Sequence, residues 1–365
     1  MIGRRLALAG AACALACVAT VHAQQQRPAS RAATPPSTLR VLPIRGNVYM
    51  IAGAGANVTV SIGKDGVLLV DTGAASRTDA LMEIVRALDR QVTASGMPMR
   101  SCIGVVQGCT WWGGSNLLPT TVGPPPPKSI AGIINTSLDD DHIGGNEKLA
   151  MAGRTFGVRN VTAAGVSIGA WIIAHENVAS RLSPAGQPKV AAAALPNEVY
   201  FGDDKKLNFF NGEGVVIEHV DAAHTDGDSM VYFRGSDVIA AGDLFSMADY
   251  PVIETANGGS IQGLVTAANK LLDMIVWEHM MEGGTIVVPG HGRLADVADV
   301  AYYRDMVTIM RDRVAALKGR GMTAAQVKNA KVTRDYDPRW GRNPKWTPDM
   351  FVEAIYNTLK PAGTQ

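Results

Sequence analysis

The segment Asn135-Thr136-Ser137-Leu138-Asp139-Asp140-Asp141-His142-Ile143-Gly144-Gly145-Asn146 concentrates the groups in this chain most able to do chemistry. Three consecutive carboxylates and an imidazole stand before a glycine pair. The apolar run Ile130 to Ile134 just ahead of them reads as a buried strand. Anionic groups crowded at a strand end repel one another, so a cation is expected to offset them. A divalent metal is the simplest candidate, because carboxylate oxygen and imidazole nitrogen are both common ligands.

Three further places repeat the pattern of an apolar strand that ends in a potential ligand beside glycine or a turn. They are His224 in Ala222-Ala223-His224-Thr225-Asp226-Gly227-Asp228, Asp243 after Val238-Ile239-Ala240-Ala241-Gly242, and His291 in Pro289-Gly290-His291-Gly292. Loops at strand ends are where a rigid scaffold presents functional side chains, and glycine permits the sharp turns this requires. The four places together use three of the seven histidines, with Asp139, Asp141 and Asp243 as the acids. Four such ends in series point to one shared site.

The elements that must position these loops alternate between strand and helix, which indicates an α/β layered domain. Strands are expected at Asn47 to Ile51, Asn57 to Ile62 and Val67 to Val70, with Lys64-Asp65-Gly66 as a hairpin turn. Ser76 to Leu88 has helical periodicity, with Leu81, Ile84, Val85 and Leu88 on one face. Helices are also expected at Asn146 to Ala152, at His175 to Leu182 and over the long stretch Ile261 to Met280. Strands are expected at Val215 to Val220, Met230 to Phe233, Val238 to Ala241 and Thr285 to Val288. The last sixty or so residues read as mostly helical.

At this point the chain resembles the metallo-β-lactamase-fold hydrolases, over about residues 40 to 300. The resemblance rests on Val70-Asp71-Thr72-Gly73, Asp141-His142-Ile143-Gly144-Gly145-Asn146, the His224 segment, Gly242-Asp243 and Pro289-Gly290-His291-Gly292. It implies a four-layer αββα sandwich at residues 39–300, followed by a helical C-terminal extension at 301–365. It also implies a site for one or two divalent ions, with zinc the leading expectation and manganese or iron the others. The implied metal ligands are Asp139, Asp141, His142, His224, Asp243 and His291. Asp71 is expected to support the ligand loop.

The sequence departs from the family's His-x-His-x-Asp-His motif. Ser137 and Asp139 stand where the family has its first two histidines. The second-metal set Asp141, His142, His291 and Asp243 is complete. The first keeps His224 and the shared Asp243, gains a carboxylate in Asp139, and is left with the weak hydroxyl of Ser137. More carboxylate makes that site harder, so it is expected to favour manganese, magnesium or iron over zinc, and to be weakly filled or empty. Asp141 is expected to be both ligand and orienter of an attacking water. Without a first metal, Asp139 and Asp141 would form a carboxylate pair in which one has a raised pKa and serves as base. Asp140 is expected to face solvent or to support its neighbours.

The remaining residues bound the context. Arg4, Arg5, the apolar run Leu6 to Val21 and Val21-His22-Ala23 have the pattern of a secretory signal peptide, residues 1–23. A Gln/Pro/Ser-rich leader follows at 24–38, and a periplasmic or secreted location is expected, with a lipid anchor at Cys17 a minor alternative. Two of the 34 basic residues leave with the signal, against 33 acidic ones. The nearly neutral balance gives no field for nucleic acid or anionic lipid, and no later segment is long enough to span a bilayer. A small molecule is the expected partner, and oligomeric state is not legible. Residues 93–128 read as an insertion stapled by a Cys102–Cys109 disulfide, with Trp111 and Trp112 in it. His175, His219 and His279 read as packing histidines, Asp226 and Asp228 as turn formers, Met306 and Met310 as core. Lys318, Arg320, Lys328 and Lys331 read as a solvated face.

The function implied is an exported metal-dependent hydrolase acting on an ester, thioester, lactone, lactam or phosphoester. Two alternatives stand beside it: a degenerate, metal-poor binding protein, favoured by Ser137, and an iron-dependent redox protein of the same fold.

Overall fold

The computed structural model describes residues 39–95, 130–153, 161–162, 165–166, 169–184, 189–276 and 283–359. The signal, the leader, the disulfide, Trp111, Trp112 and His279 lie outside them. The unit from Leu39 onward is built on two main sheets.

The first sheet holds β1 (Arg40–Arg45), β2 (Val48–Ala52), β3 (Val58–Gly63), β4 (Gly66–Val70), β5 (Ile130–Ile134), β8 (Trp171–His175) and β9 (Glu198–Tyr200), in the order 1-2-3-4-5-8-9. β6 (Val161–Thr162) and β7 (Gly165–Val166) form a separate small hairpin. The first four strands run antiparallel. From β4 onward the pairs are parallel. The second sheet orders β10 (Asp204–Phe210), β11 (Glu213–His219), β12 (Ser229–Phe233), β13 (Val238–Ser246) and β14 (Ile286–His291), with only β13 and β14 parallel.

Burial shows why these segments form layers. β4 and β5 are buried at every position, as strands covered on both faces must be. One face meets the other sheet: Val48, Met50, Leu68, Val70 and Ile134 pack with Ile217, Val231, Phe233, Val238 and Val288. The opposite face of the first sheet takes Leu81, Val85 and Leu88 of α1 (Thr78–Ser95) and Leu149 of α3 (Asn146–Met151). The opposite face of the second sheet takes α5 (Ile261–Met274), α6 (Val297–Gly319) and α9 (Pro348–Thr358). Helix, sheet, sheet and helix therefore stack as the resemblance implied.

The C-terminal helices, which include α7 (Ala324–Asn329) and α8 (Asp337–Trp340), share the core of the second sheet. Trp340 and Phe351 are fully buried in it with Val300, Met306 and Met310. No helix among the described residues is long and apolar enough to cross a membrane.

Several boundaries differ from the expectations. α5 stops at Met274, with Ile275 already extended, so the apolar pattern overran its helix. His175 is the last residue of β8, and its ring caps α4 (Glu176–Leu182) by accepting from the Asn177 amide. Asp243 does not end its strand, for β13 runs on to Ser246 through a pairing irregularity around Gly242. The basic face is not merely solvated. Lys318 donates to the Tyr356 and Leu359 carbonyls at the end of α9, where a cation suits the exposed carbonyl dipoles. Lys328 and Lys331 pair with Glu353 and Asp349 of the same helix.

Candidate metal centre

Parallel strands bring their carboxyl ends to one edge, and the candidate loops leave from that edge. Asp71 follows β4. The acidic segment follows β5, with α2 (Asp140–Ile143) turning directly after Asp139. His224 lies between β11 and β12, Asp243 within β13, and His291 at the end of β14.

Asp71 adopts φ +64°, a left-handed conformation that L residues other than Gly, Asn and Asp rarely take. This turns its carboxylate inward. One oxygen accepts from the Thr136 amide at 2.8 Å; the other accepts from His142 Nδ1 at 2.8 Å. His142 is fully buried, and its Nε2 has no hydrogen-bond partner among the described residues. Asp243 Oδ2 lies 3.2 Å from that Nε2, close but not aligned for a hydrogen bond. His291 Nε2 lies 3.3 Å from Asp141 Oδ2 and 3.5 Å from Asp243 Oδ1. The ligand atoms of Asp141, His142 and His291 all fall within 4.8 Å of one another.

A second set lies on the other side of Asp243. His224 is buried, its Nδ1 3.3 Å from Asp228 Oδ1 and its Nε2 3.3 Å from Asp139 Oδ2. Asp228 also accepts from the Thr225 amide and hydroxyl, so it holds the turn and the ring together. Asp226 instead grips Arg181. The third member is Glu254, whose carboxylate lies within 4.8 Å of the Asp139 and His224 ligand atoms. The sequence reading did not single out Glu254. It sits far from any motif, and only the fold brings it here.

Ser137 is fully buried, its hydroxyl accepting from the Asp139 backbone amide at 3.4 Å and donating to Asp139 Oδ2 at 3.5 Å, so it braces that candidate ligand. Asp140 is exposed, as expected.

Charge is the dominant property of the site. A cleft of about 380 Å³ is lined by Asp139, Asp141, Asp243, Asp249 and Glu254, with His224 and His291. No lysine or arginine lines it among the described residues. Burial raises the Asp139 pKa to about 7, with Asp243 and Glu254 adding to the rise against the pull of His224. Burial disfavours charge on both buried imidazoles, yet Asp243 and Asp71 outweigh it at His142, and Asp228, Asp243 and Asp139 raise His224 to about 10. Burial also opposes charge on Asp243, but its histidine neighbours hold its pKa well below the ordinary carboxylate range. The groups favour any positive charge placed among them, proton or metal.

The packing around the ligands is tight. A Cβ on Gly290 would come within 2.3 Å of Asp243 Oδ1, so glycine is what allows β14 to pass the shared carboxylate. The Asn57 amide and side chain hold the carbonyls of Gly290, Pro289 and Gly292, and the Ala56 amide holds that of Asp141. One loop of the first sheet thus pins both His291 and Asp141. The far wall, Ala248 to Glu254 with Asn343, leans on the C-terminal helices. Tyr250 donates its hydroxyl to Asp337 and stacks on Phe351, and Trp346 donates to the Pro251 carbonyl.

Known proteins share features of this sequence and fold. Residues 125–291 match the family model of the Metallo-beta-lactamase superfamily. No curated protein sequence matches the chain. Among solved structures, the chain is similar to the stereoselective inverting sec-alkylsulfatase Pisa1 from Pseudomonas sp. The identity is 15%, with 87% of this chain and 50% of that one covered, at TM-score 0.57. This chain therefore spans about half the length of that enzyme. It is also similar to a metallo-beta-lactamase from Pontibacter korlensis at 16% identity and TM-score 0.47, covering 74% of this chain and 99% of that one.

Proposed function

We propose that this chain, which has the fold of the metallo-β-lactamase superfamily, is an exported metal-dependent hydrolase of uncharged or cationic carbonyl compounds: esters, thioesters, lactones or lactams. The observation that carries the reading is His142 Nε2. A buried polar atom left without a partner costs about 1–3 kcal/mol. Here Asp71 fixes the other ring nitrogen, so Nε2 faces Asp243, Asp141 and His291. That is the arrangement a metal-ligating histidine has, with a carboxylate holding its far N–H.

The donor set fits a divalent ion. Asp141, His142 and His291 would hold it, with Asp243 shared. Such an ion supplies Lewis acidity and lowers the pKa of water from about 16 towards 7. The chain's own residues do the rest. Asp71 and Asp228 keep His142 and His224 in the tautomer whose Nε2 lone pair faces the cleft. Asp141, partly exposed to the cleft, accepts a hydrogen bond from the attacking water and orients it. The wall from Ala248 to Val252 confines the substrate. Tyr250 is not an acid here, because its hydroxyl is committed to Asp337.

The lining narrows the substrate. With no lysine or arginine lining the cleft among the described residues, a sulfate or phosphate ester would lack the cationic side chains that usually hold it, and the bound ions alone would have to offset its charge. Uncharged and cationic substrates meet no such penalty.

The test is direct. The purified chain is stripped, reconstituted with zinc or manganese, and assayed on nitrophenyl acetate, a thioester, a lactone, a lactam, nitrophenyl phosphate and nitrophenyl sulfate. Turnover of carbonyl substrates that disappears in Asp141→Ala is expected. A chain that takes up no metal, or one that turns over only the phosphate or sulfate, overturns the reading. Bound iron with no hydrolysis would favour the redox alternative.

A further inference from the structure

We infer that Glu254 is a metal ligand, and that with Asp139 and His224 it forms an oxygen-rich centre suited to manganese or magnesium, beside the nitrogen-richer one at Asp141, His142 and His291. The inference rests on the metal-dependent reading above and deepens it.

The sequence left the first site short of donors, because Ser137 stands where an imidazole belongs in the family motif. The structure buries Ser137, with its hydroxyl on Asp139, and brings a carboxylate in from the loop after β13. The ligand atoms of Asp139, His224 and Glu254 lie within 4.8 Å of one another. His224 Nδ1 is engaged by Asp228, so Nε2 is the atom turned towards the other two.

Glu254 is not an incidental neighbour. Its backbone amide donates to the His224 carbonyl at 2.9 Å, which ties the two ligand loops together. The Asn257 side-chain amide donates to Glu254 Oε2. Asn257 Oδ1 in turn accepts from Arg181 at 3.3 Å, and Arg181 is clamped to Asp226. A carboxylate held by a side-chain amide, itself held by a further ion pair, is the outer support that ligating groups commonly have. The approach also needs a glycine. A Cβ on Gly259 would lie 2.0 Å from the His224 carbonyl oxygen, so any other residue there would push the Glu254 loop off the site.

Two carboxylates and one imidazole form a harder set than two imidazoles and one carboxylate. Oxygen-rich sets favour manganese and magnesium relative to zinc. The chain would therefore hold two different ions side by side.

The full-length chain is stripped and then offered zinc and manganese together. Bound metal is counted by mass spectrometry, and manganese is followed by electron paramagnetic resonance. Two equivalents are expected for the unaltered chain, one of them manganese. Glu254→Ala and Glu254→Gln should keep the zinc and lose the manganese. Asn257→Ala, which leaves every donor in place, should weaken manganese by about tenfold or more. Crystals soaked in manganese give a reading that needs no variant: anomalous scattering should put the ion within coordination distance of the Glu254 carboxylate. Manganese affinity unchanged in Glu254→Ala, or an ion remote from Glu254, overturns the inference. One equivalent in the unaltered chain overturns it while sparing the hydrolase reading; no equivalent at all overturns both. Two zinc ions with no manganese, one lost in Glu254→Ala, would support the ligand and overturn the preference.

Discussion

At the scale of single residues, the site depends on what stands behind the ligands. Asp71 accepts a left-handed backbone at a cost on the order of 1–3 kcal/mol to hold His142 Nδ1. Asn tolerates that backbone but lacks the charge. Asp71→Asn should therefore fold, yet bind metal at the His142 site about 10–100-fold more weakly, as read by competition with a chelating dye. Unchanged affinity would mean that Asp71 is only a turn residue. A second residue-scale expectation concerns acid. His175 stacks on His219 with ring centroids 3.6 Å apart. Burial first, and then His219, lower its pKa from 6.5 to about 4, while Asp226 and Asp221 pull the other way. A histidine depressed on folding binds fewer protons when folded than when unfolded. Its contribution is complete above pH 6.5 and is lost as pH falls towards 4. Thermal unfolding of the unaltered chain should weaken across that window, and His175→Gln should flatten the dependence. An identical profile in the variant would remove His175 as its source.

At the scale of elements, loops from distant strands reach the site only because other elements hold them. The loop before β3 is one such brace. Asn57→Ala removes the side-chain bonds to Pro289 and Gly292 and takes a partner from the buried Pro289 carbonyl, which should cost about 1–3 kcal/mol in denaturant unfolding. Activity should fall further than stability explains, because the same loop sets His291. The C-terminal helices are a second brace. Trp340 is fully buried beneath the Tyr250 wall, and Trp340→Ala should cost about 3–5 kcal/mol. A loss below about 1 kcal/mol would show that the helices are not part of the core on which the cleft depends.

At the scale of the whole molecule, the two sheets carry a concentration of negative charge at one edge. A cation bound only by the folded state stabilises it by about 2.7 kcal/mol at a hundred times its dissociation constant. Chelation should lower the melting temperature, and added zinc or manganese should restore it. An identical melting curve with and without chelator would argue against any bound ion. The lining also predicts selectivity: at equal concentration a neutral acetate ester should be hydrolysed faster than a phosphate monoester.

The sequence by itself marked many of the strands and helices, though not β8, β9 or β10, together with the strand-end placement of most candidate ligands and the departure at Ser137 and Asp139. These are local matters: apolar runs mark buried strands, and glycines beside acids and histidines mark turns that expose ligands. Even so, local pattern misjudged elements whose ends depend on neighbours. The Ile261 helix stops where its apolar pattern continues, and β13 passes through Asp243 because β14 pairs beyond it. Only the tertiary structure could decide that Asp71 lies behind His142, that the C-terminal helices support the cleft wall, and that Glu254 faces Asp139 and His224. Contacts between residues far apart in the chain follow from how two sheets pack, and no spacing along the sequence encodes them.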